Sequence, residues 1–308
     1  MAQARVVSTL CELLQQRVGV ATNAMQTAQK TISAARLRSG RAIVFFSCGK
    51  DSIAMLDMVA PVFDEVICVF MYFVPGLAHI ERYLKDAETR YKNVKVIQYE
   101  HYMTTTIRRN GIFCLPQNVK IGTLSSIDEQ ARKDTGIPLS FYGSKKNDGM
   151  NRRIMLNTYG ELPIQQKTQK YYPLADFSNK DVLSYIRTKR LPFPIKYGGK
   201  QSNGIMFDLD CYLWMRENEP ADLEKMYKAY PLSRKILFDY DYAEKNKAPD
   251  IRGEDGTPKP TPKRAVQPKG DKRHAAQGAE TKPKKSGIAP ASRLERGDRT
   301  LGRGAPKN

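Results

Sequence analysis

The chain has few of the residues that build covalent or metal-based scaffolds. Five cysteines in 308 residues, Cys11, Cys48, Cys68, Cys114 and Cys211, form no Cys-x-x-Cys pair. That spacing gives no support to a disulfide framework, a structural zinc site or an iron-sulfur cluster. No apolar run is long enough to cross a bilayer. Met1 to Arg5 run into a segment that holds Glu12, Gln15, Gln16 and Arg17, so no secretory h-region is expected. These absences lead to the expectation of a cytoplasmic protein without a membrane partner. Aromatic residues are missing altogether from Glu244 to Asn308.

That last stretch is rich in Lys, Arg, Pro and Gly. Its scattered Ile251, Val266, Ile288, Leu294 and Leu301 cannot offset a backbone entropy cost of about 1 to 2 kcal/mol per residue. The composition predicts an N-terminal helical segment over 1–40, a folded domain over 41–243 and a disordered basic tail over 244–308. With 51 Lys plus Arg against 32 Asp plus Glu, the formal charge is +19, and the tail's 17 basic and 8 acidic residues supply +9 of it. A surface of this sign attracts polyanions by counterion release, which makes nucleic acid a candidate partner of the tail. A merely solubilising tail would have the same composition.

Periodicity organises the remainder. Val7, Leu10, Leu14, Val18 and Met25 recur at helical steps and predict one or two amphipathic helices between Val6 and Arg36. Ala42 to Phe46 is a continuous apolar run of the kind found in parallel strands buried on both faces. A polar turn follows, and from Ser52 the apolar positions Ile53, Met55, Leu56, Val59 and Val62 take helical spacing. Val66 to Phe73 predicts a second strand, Ala78 to Tyr91 a helix, and Val94 to Tyr99 a third strand. A helix over 126–134 then precedes a strand over 138–142, and Lys170 to Tyr172 predicts a last short strand. Ser178 is an N-cap and Asp181 an acidic N3 residue for a helix to Lys189, and helices over 209–217 and 221–230 close the folded part. Alternation of this kind predicts an α/β fold, a doubly wound parallel sheet with helical C-terminal elements.

The chemistry concentrates where the first strand meets its helix, at Ser47-Cys48-Gly49-Lys50-Asp51-Ser52. A strand that turns directly into a helix offers main-chain N–H groups and the positive helix end to one anion. Gly49 permits close approach, Ser47 and Ser52 add hydroxyl donors, and Lys50 adds a mobile positive charge. Asp51 cannot usefully face bare phosphate, so it either orients the loop or holds Mg²⁺. Cys48 is either a nucleophile activated by its surroundings or a small loop filler.

These residues, with Phe45, Phe46 and Ile53 to Leu56 around them, resemble the PP-loop of the adenine nucleotide α-hydrolase superfamily, and within it the phosphoadenosine phosphosulfate (PAPS) reductase family. The resemblance runs from about Ile43 to Tyr230. Family loops usually have Gly or Phe in place of Cys48, and Lys50 is more like the ATP-using members. Tyr142 to Arg152 is similar to the family's Gly-x-Arg-x-x-Glu-Ser-x-x-Arg. By position Lys145 then replaces the first arginine, Asp148 the glutamate, Gly149 the serine and Arg152 the last arginine. A third match, Tyr172 to Val182, resembles the segment Pro-Leu-x-Asp-Trp-x-x-x-Asp-Val, whose role is mostly architectural. Asp176 is there a candidate partner for a basic site residue.

The resemblance implies ATP or PAPS as ligand, with Mg²⁺ if ATP. Lys50, Asp51, Lys145 and Arg152 are the candidate catalytic residues. Ser47, Cys48, Gly49, Ser52, Met71, Tyr72, Gly143 and Asp148 complete the expected binding set, with Met71 and Tyr72 placed to meet adenine or ribose. The Glu-Cys-Gly-Leu-His segment of assimilatory reductases is absent, which speaks against a thioredoxin-linked reductase of the usual design. Nucleotidyl transfer with pyrophosphate release and sulfonucleotide chemistry both remain open. So does a non-catalytic, nucleotide-sensing regulator that binds nucleic acid. His79 and His101 follow the second and third strands and so are expected near the sheet's ligand edge.

Overall fold

The structure, a computed structural model, describes residues 22–198, 200–201 and 205–246. The first half of the expected N-terminal helix, Cys11, and almost all of the expected tail lie outside the described residues. Helix α1 (Thr22–Arg36) is followed by β1 (Arg41–Phe45), α2 (Lys50–Val59), β2 (Glu65–Tyr72), α3 (Ala78–Arg90) and β3 (Val94–Glu100). Next come α4 (Met103–Asn110), α5 (Leu124–Thr135), β4 (Ser140–Phe141), α6 (Met150–Asn157), β5 (Ile164–Gln165) and β6 (Lys170–Tyr171). The described part closes with α7 (Asn179–Thr188), β7 (Lys196–Tyr197), β8 (Lys200–Gln201), α8 (Leu209–Asn218), α9 (Pro220–Ala229) and α10 (Arg234–Lys245). Helix α10 therefore runs two residues into the stretch expected to be tail.

The six-stranded sheet has the order β3-β2-β1-β4-β6-β5 and is parallel except for β5, which pairs antiparallel with β6. Strand order reverses at β1, between β2 and β4, and that switch point opens a crevice beyond the carboxyl ends of the strands. The pleat sorts the strand residues between two apolar clusters. Ala42, Val44, Val66 and Cys68 join one, with α1, α2, α3 and α7. Ile43, Phe45, Ile67 and Val69 join the other, with α5 and α6. Helices thus cover both faces, as the unbroken apolar runs in β1 and β2 require. β5 and the β7–β8 hairpin, two-residue pairings with no run of their own, were not legible in the pattern, and neither was α4.

Two polar anchors fix the helices that matter to the crevice. Asp57 near the end of α2 accepts hydrogen bonds from Tyr91 and Tyr185, both at 2.7 Å, and so ties α2 to the end of α3 and to α7. Asp222 on α9 is fully buried and closes the start of α3 across 144 residues of sequence. It accepts the amide of Ala78 at 2.9 Å and that of His79 at 3.1 Å, pairs with His79 Nδ1 at 2.6 Å, and takes Lys225 Nζ at 2.9 Å. Burial on its own would raise the pKa of this carboxyl. The hydrogen bonds from Ala78, His79 and Lys225 outweigh it and bring the group down to about 2.

A carboxyl depressed from 3.8 to about 2 stabilises the fold at pH values above its unfolded pKa, by roughly 2 kcal/mol at about 1.4 kcal/mol per pKa unit. That contribution fades as the pH falls from about 4 towards 2. Urea melts between pH 2 and 5 should therefore show a smaller pH dependence for Asp222→Asn than for the wild type, and at neutral pH the variant should be less stable by about 1 to 3 kcal/mol. Identical acid profiles would remove Asp222 as an anchor.

Candidate functional site

The crevice beside β1 encloses about 630 Å³, within the range of small-ligand pockets. One wall is the turn from β1 into α2, with Ser47, Lys50, Asp51 and Ser52. The other is the loop after β4, with Gly143, Ser144, Asn147 and Asp148, joined by Arg152 on α6 and Asn179 at the start of α7. The two loops nearly touch at Gly143. A Cβ there would come within 3.3 Å of Asp51 Cβ, closer than most real contacts, so a side chain would press the start of α2 back by a few tenths of an ångström.

The turn holds itself in shape. Ser52 Oγ donates to the Gly49 carbonyl at 2.9 Å and accepts the Ser47 amide at 3.1 Å. The Ser47 amide and the Ser52 hydroxyl, expected as ligand donors, are thus engaged within the loop. Cys48 adopts the left-handed region at φ 60, where a side chain is strained and glycine is not, and its thiol is buried. Burial, then the neighbouring Cys68 and Glu81, push that thiol well above its ordinary pKa, so the activated thiolate has no basis here. Beyond this staple the loop is open. The N-cap of α2 is Gly49, with no side chain to cap the helix, and among the described residues the amides of Lys50, Asp51 and Ser52 have no partner. Helices α5, α7 and α8 begin with side-chain caps from Thr123, Ser178 and Asp208, whereas α4, α6, α9 and α10, like α2, have none. The start of α2 is therefore free to take an anion.

Four charges run through the floor of the crevice. Lys50 Nζ donates to Asp51 Oδ2 at 2.8 Å, Lys145 Nζ lies 2.7 Å from Asp51 Oδ1, and it lies 2.8 Å from Asp148 Oδ1. The contacts of Lys145 Nζ are ionic, without the alignment of hydrogen bonds. Asp148 Oδ2 also accepts the Lys145 amide at 2.7 Å. Lys145 is completely buried and does not line the crevice. It lies beneath the floor as a strut between the two loops, where the sequence comparison expects a phosphate contact. Arg152 does line the crevice and is exposed; Asp176 pairs with Lys146 at 2.7 Å, outside it.

Other candidates lie apart. Met71 packs with the cluster on one face of the sheet and Tyr72 with that on the other, and neither lines the crevice. His79 is fully buried, between Asp222 and the Tyr197 hydroxyl 3.1 Å from Nε2; burial lowers its pKa against the pull of Asp222. His101 stacks between Phe73 and Tyr102, with ring centres 4.4 and 4.6 Å away, and burial lowers its pKa as well. Sequence reasoning passed over Ser144, Asn147, Asn179 and Phe45. Ser144 and Asn147 stand inside the matched string, so their position was available. Asn179 directly follows the Ser178 cap, but only the topology reveals which helix start faces the crevice.

The sequence model of the phosphoadenosine phosphosulfate reductase domain matches residues 41–195, half of the chain, and spans both walls of the crevice. Among solved structures the chain is similar to phosphoadenylyl-sulfate reductase from Candida auris in its phosphate complex, at 12% identity. That match covers 61% of this chain and 87% of the other, with a TM-score of 0.38. It is also similar to NH3-dependent NAD synthetase from Campylobacter jejuni subsp. jejuni in complex with the nitrate ion, at 17% identity. There the coverage is 75% and 99%, and the TM-score 0.36. No curated protein matches the chain.

If Lys145 is a strut, Lys145→Met leaves two carboxylates facing each other without their shared cation. Removing one partner of a fully buried pair costs about 3 to 5 kcal/mol. Asp51 and Asp148 keep some solvent, so a loss of roughly 2 to 3 kcal/mol is expected in chemical denaturation. A variant as stable as the wild type would show that the strut carries no weight.

Proposed function

Because the chain belongs to the phosphoadenosine phosphosulfate reductase domain family, we propose that the crevice binds ATP by its polyphosphate and that the protein transfers the adenylyl group with release of pyrophosphate. The observation that carries this reading is the pairing of an uncapped helix start with two carboxylates, Asp51 and Asp148, on the lining of one crevice. The free amides of α2 and the Lys50 ammonium suit phosphate oxygens. The carboxylates do not, unless the phosphates arrive with a cation. A bare sulfonucleotide brings no cation of its own, so drawing Lys50 to its phosphates would leave Asp51 and Asp148 with Lys145 as their one shared ammonium among the described residues.

The residues fit Mg²⁺ in one particular manner. Mg²⁺ binds through one or two carboxylates together with substrate phosphates and waters. No group of three His, Cys, Asp or Glu able to hold a metal ion occurs among the described residues. Asp51 and Asp148 therefore suit a cation that enters on the nucleotide, which would neutralise phosphate charge when bound. The chain's own residues then bind and orient: amides 50 to 52 at the departing phosphates, Lys50 against developing negative charge, and Arg152 at the rim. The four described cysteines are all buried, so none of them offers a thiol to a sulfonucleotide. The acceptor is unassigned, and the +9 tail supports a polyanion such as nucleic acid.

Calorimetry should give the tightest binding for ATP with Mg²⁺, and Lys50→Ala combined with Ser52→Ala should weaken it tenfold or more, about 1.4 kcal/mol. Tightest binding of PAPS without metal would overturn the choice of ligand. Binding without pyrophosphate release, even with acceptors present, would instead assign a nucleotide-sensing regulator. For the tail, a chain ended after Asn246 keeps α10 whole. Loss of salt-dependent nucleic-acid affinity in that chain, with nucleotide affinity intact, is the expected result.

A further inference from the structure

The carboxylate best placed to hold a cation is already occupied on both oxygens. Asp51 Oδ2 is taken by Lys50 Nζ at 2.8 Å and Asp51 Oδ1 by Lys145 Nζ at 2.7 Å. With Asp148 included, the four groups sum to no net charge, so a divalent cation approaching the free protein finds neither a vacant oxygen on Asp51 nor net attraction. Both lysines are buried, Lys50 at 5% and Lys145 at 0%, but they differ in their connections. Lys145 is fully buried, shared by two carboxylates, and removed from the crevice lining. Lys50 stands on the lining and has one partner, which leaves two of its three N–H donors unused. It begins α2 beside the uncapped amides, so an anion seated on those amides lies within reach of its ammonium.

We infer that Lys50 gates the cation site: it blocks Asp51 in the free protein and withdraws to the phosphates when nucleotide binds, so that the divalent cation is admitted only together with nucleotide. The inference rests on the ligand reading above and extends it to the order of binding. Charge is conserved in the exchange, because the ammonium passes from a carboxylate to a phosphate oxygen and the cation takes the position it left. Coupling of this kind is reciprocal. Nucleotide raises the affinity for cation, and cation raises the affinity for nucleotide by the same factor. The arrangement also keeps Asp51 from acting as a naked charge that repels incoming phosphates. Its negative charge is offset before the ligand arrives and after it.

The test reads cation binding to the full-length protein by the electron paramagnetic resonance signal of free Mn²⁺, with no activity measured. Wild type without nucleotide should bind Mn²⁺ weakly, and the same protein saturated with ATP should take up Mn²⁺ beyond what free ATP binds. Lys50→Met and Lys50→Gln, both close to lysine in length, should bind Mn²⁺ without nucleotide at least about tenfold more tightly than wild type. Adding Asp51→Asn to either variant should return it to the wild-type value. Circular dichroism melts accompany each variant, and agreement between the Met and Gln forms guards against an effect of misfolding. Equal Mn²⁺ affinity in wild type and in both variants would overturn the gate. A wild type that fails to bind ATP would overturn the ligand reading, whereas the Mn²⁺ titrations of the free variants judge Lys50 by themselves.

Discussion

An ammonium with no solvent contact has to be compensated by carboxylates, and Lys145 is compensated by one from each wall of the crevice. The requirement is strict, because a buried charge left alone costs several kcal/mol. It couples two loops that are far apart in sequence, the turn after β1 and the loop after β4. Gly143 allows the backbones to approach, and Asp57 with its two tyrosines holds α2 at the right height over the sheet. The shape of the crevice follows from those constraints together. Remove the strut and, among the described residues, no ion pair joins the two walls.

The fold uses two opposite solutions to the same problem at helix starts. The amides of the first turn of α3 are met by Asp222, which comes from α9 and is itself held by His79 and Lys225. The corresponding groups of α2 are left unmet. Exposed donors at a helix end normally reduce stability by about 1 kcal/mol relative to a good cap. The start of α2 shares the lack of a side-chain cap with α4, α6, α9 and α10; what it adds is that residues 50 to 52, with their free amides, line the crevice. The strained backbone at Cys48 belongs to the same trade, since strain of this kind persists only where the surroundings enforce it.

What was legible in the sequence was local. The apolar runs of β1 and β2, the turn at residues 47 to 52, and the Ser178 and Asp181 capping box each depend on neighbours within a few positions, and each stands in the structure. What failed to read needed contacts over long distances. The burial of Lys145 depends on Asp51, nearly a hundred residues earlier, and the burial of His79 depends on Asp222. A lysine aligned with a family arginine gives no hint that its shorter reach will be satisfied beneath the floor and not at the ligand. Met71 and Tyr72 illustrate a different limit. Adjacent strand residues point to opposite faces, so these neighbours at a strand end are divided between the two apolar clusters of the sheet.

The left-handed residue in the turn has a further consequence. Cys48 carries a thiol packed away from solvent inside the turn that forms one wall of the crevice. A small alkylating reagent reaches that sulfur only when the turn opens, whereas Cys68 and Cys211 have no exposure and Cys114, at 9%, is no better hidden than Cys48 at 6%. The rate of its modification is consequently a clock for the breathing of the turn, built into the chain without any label.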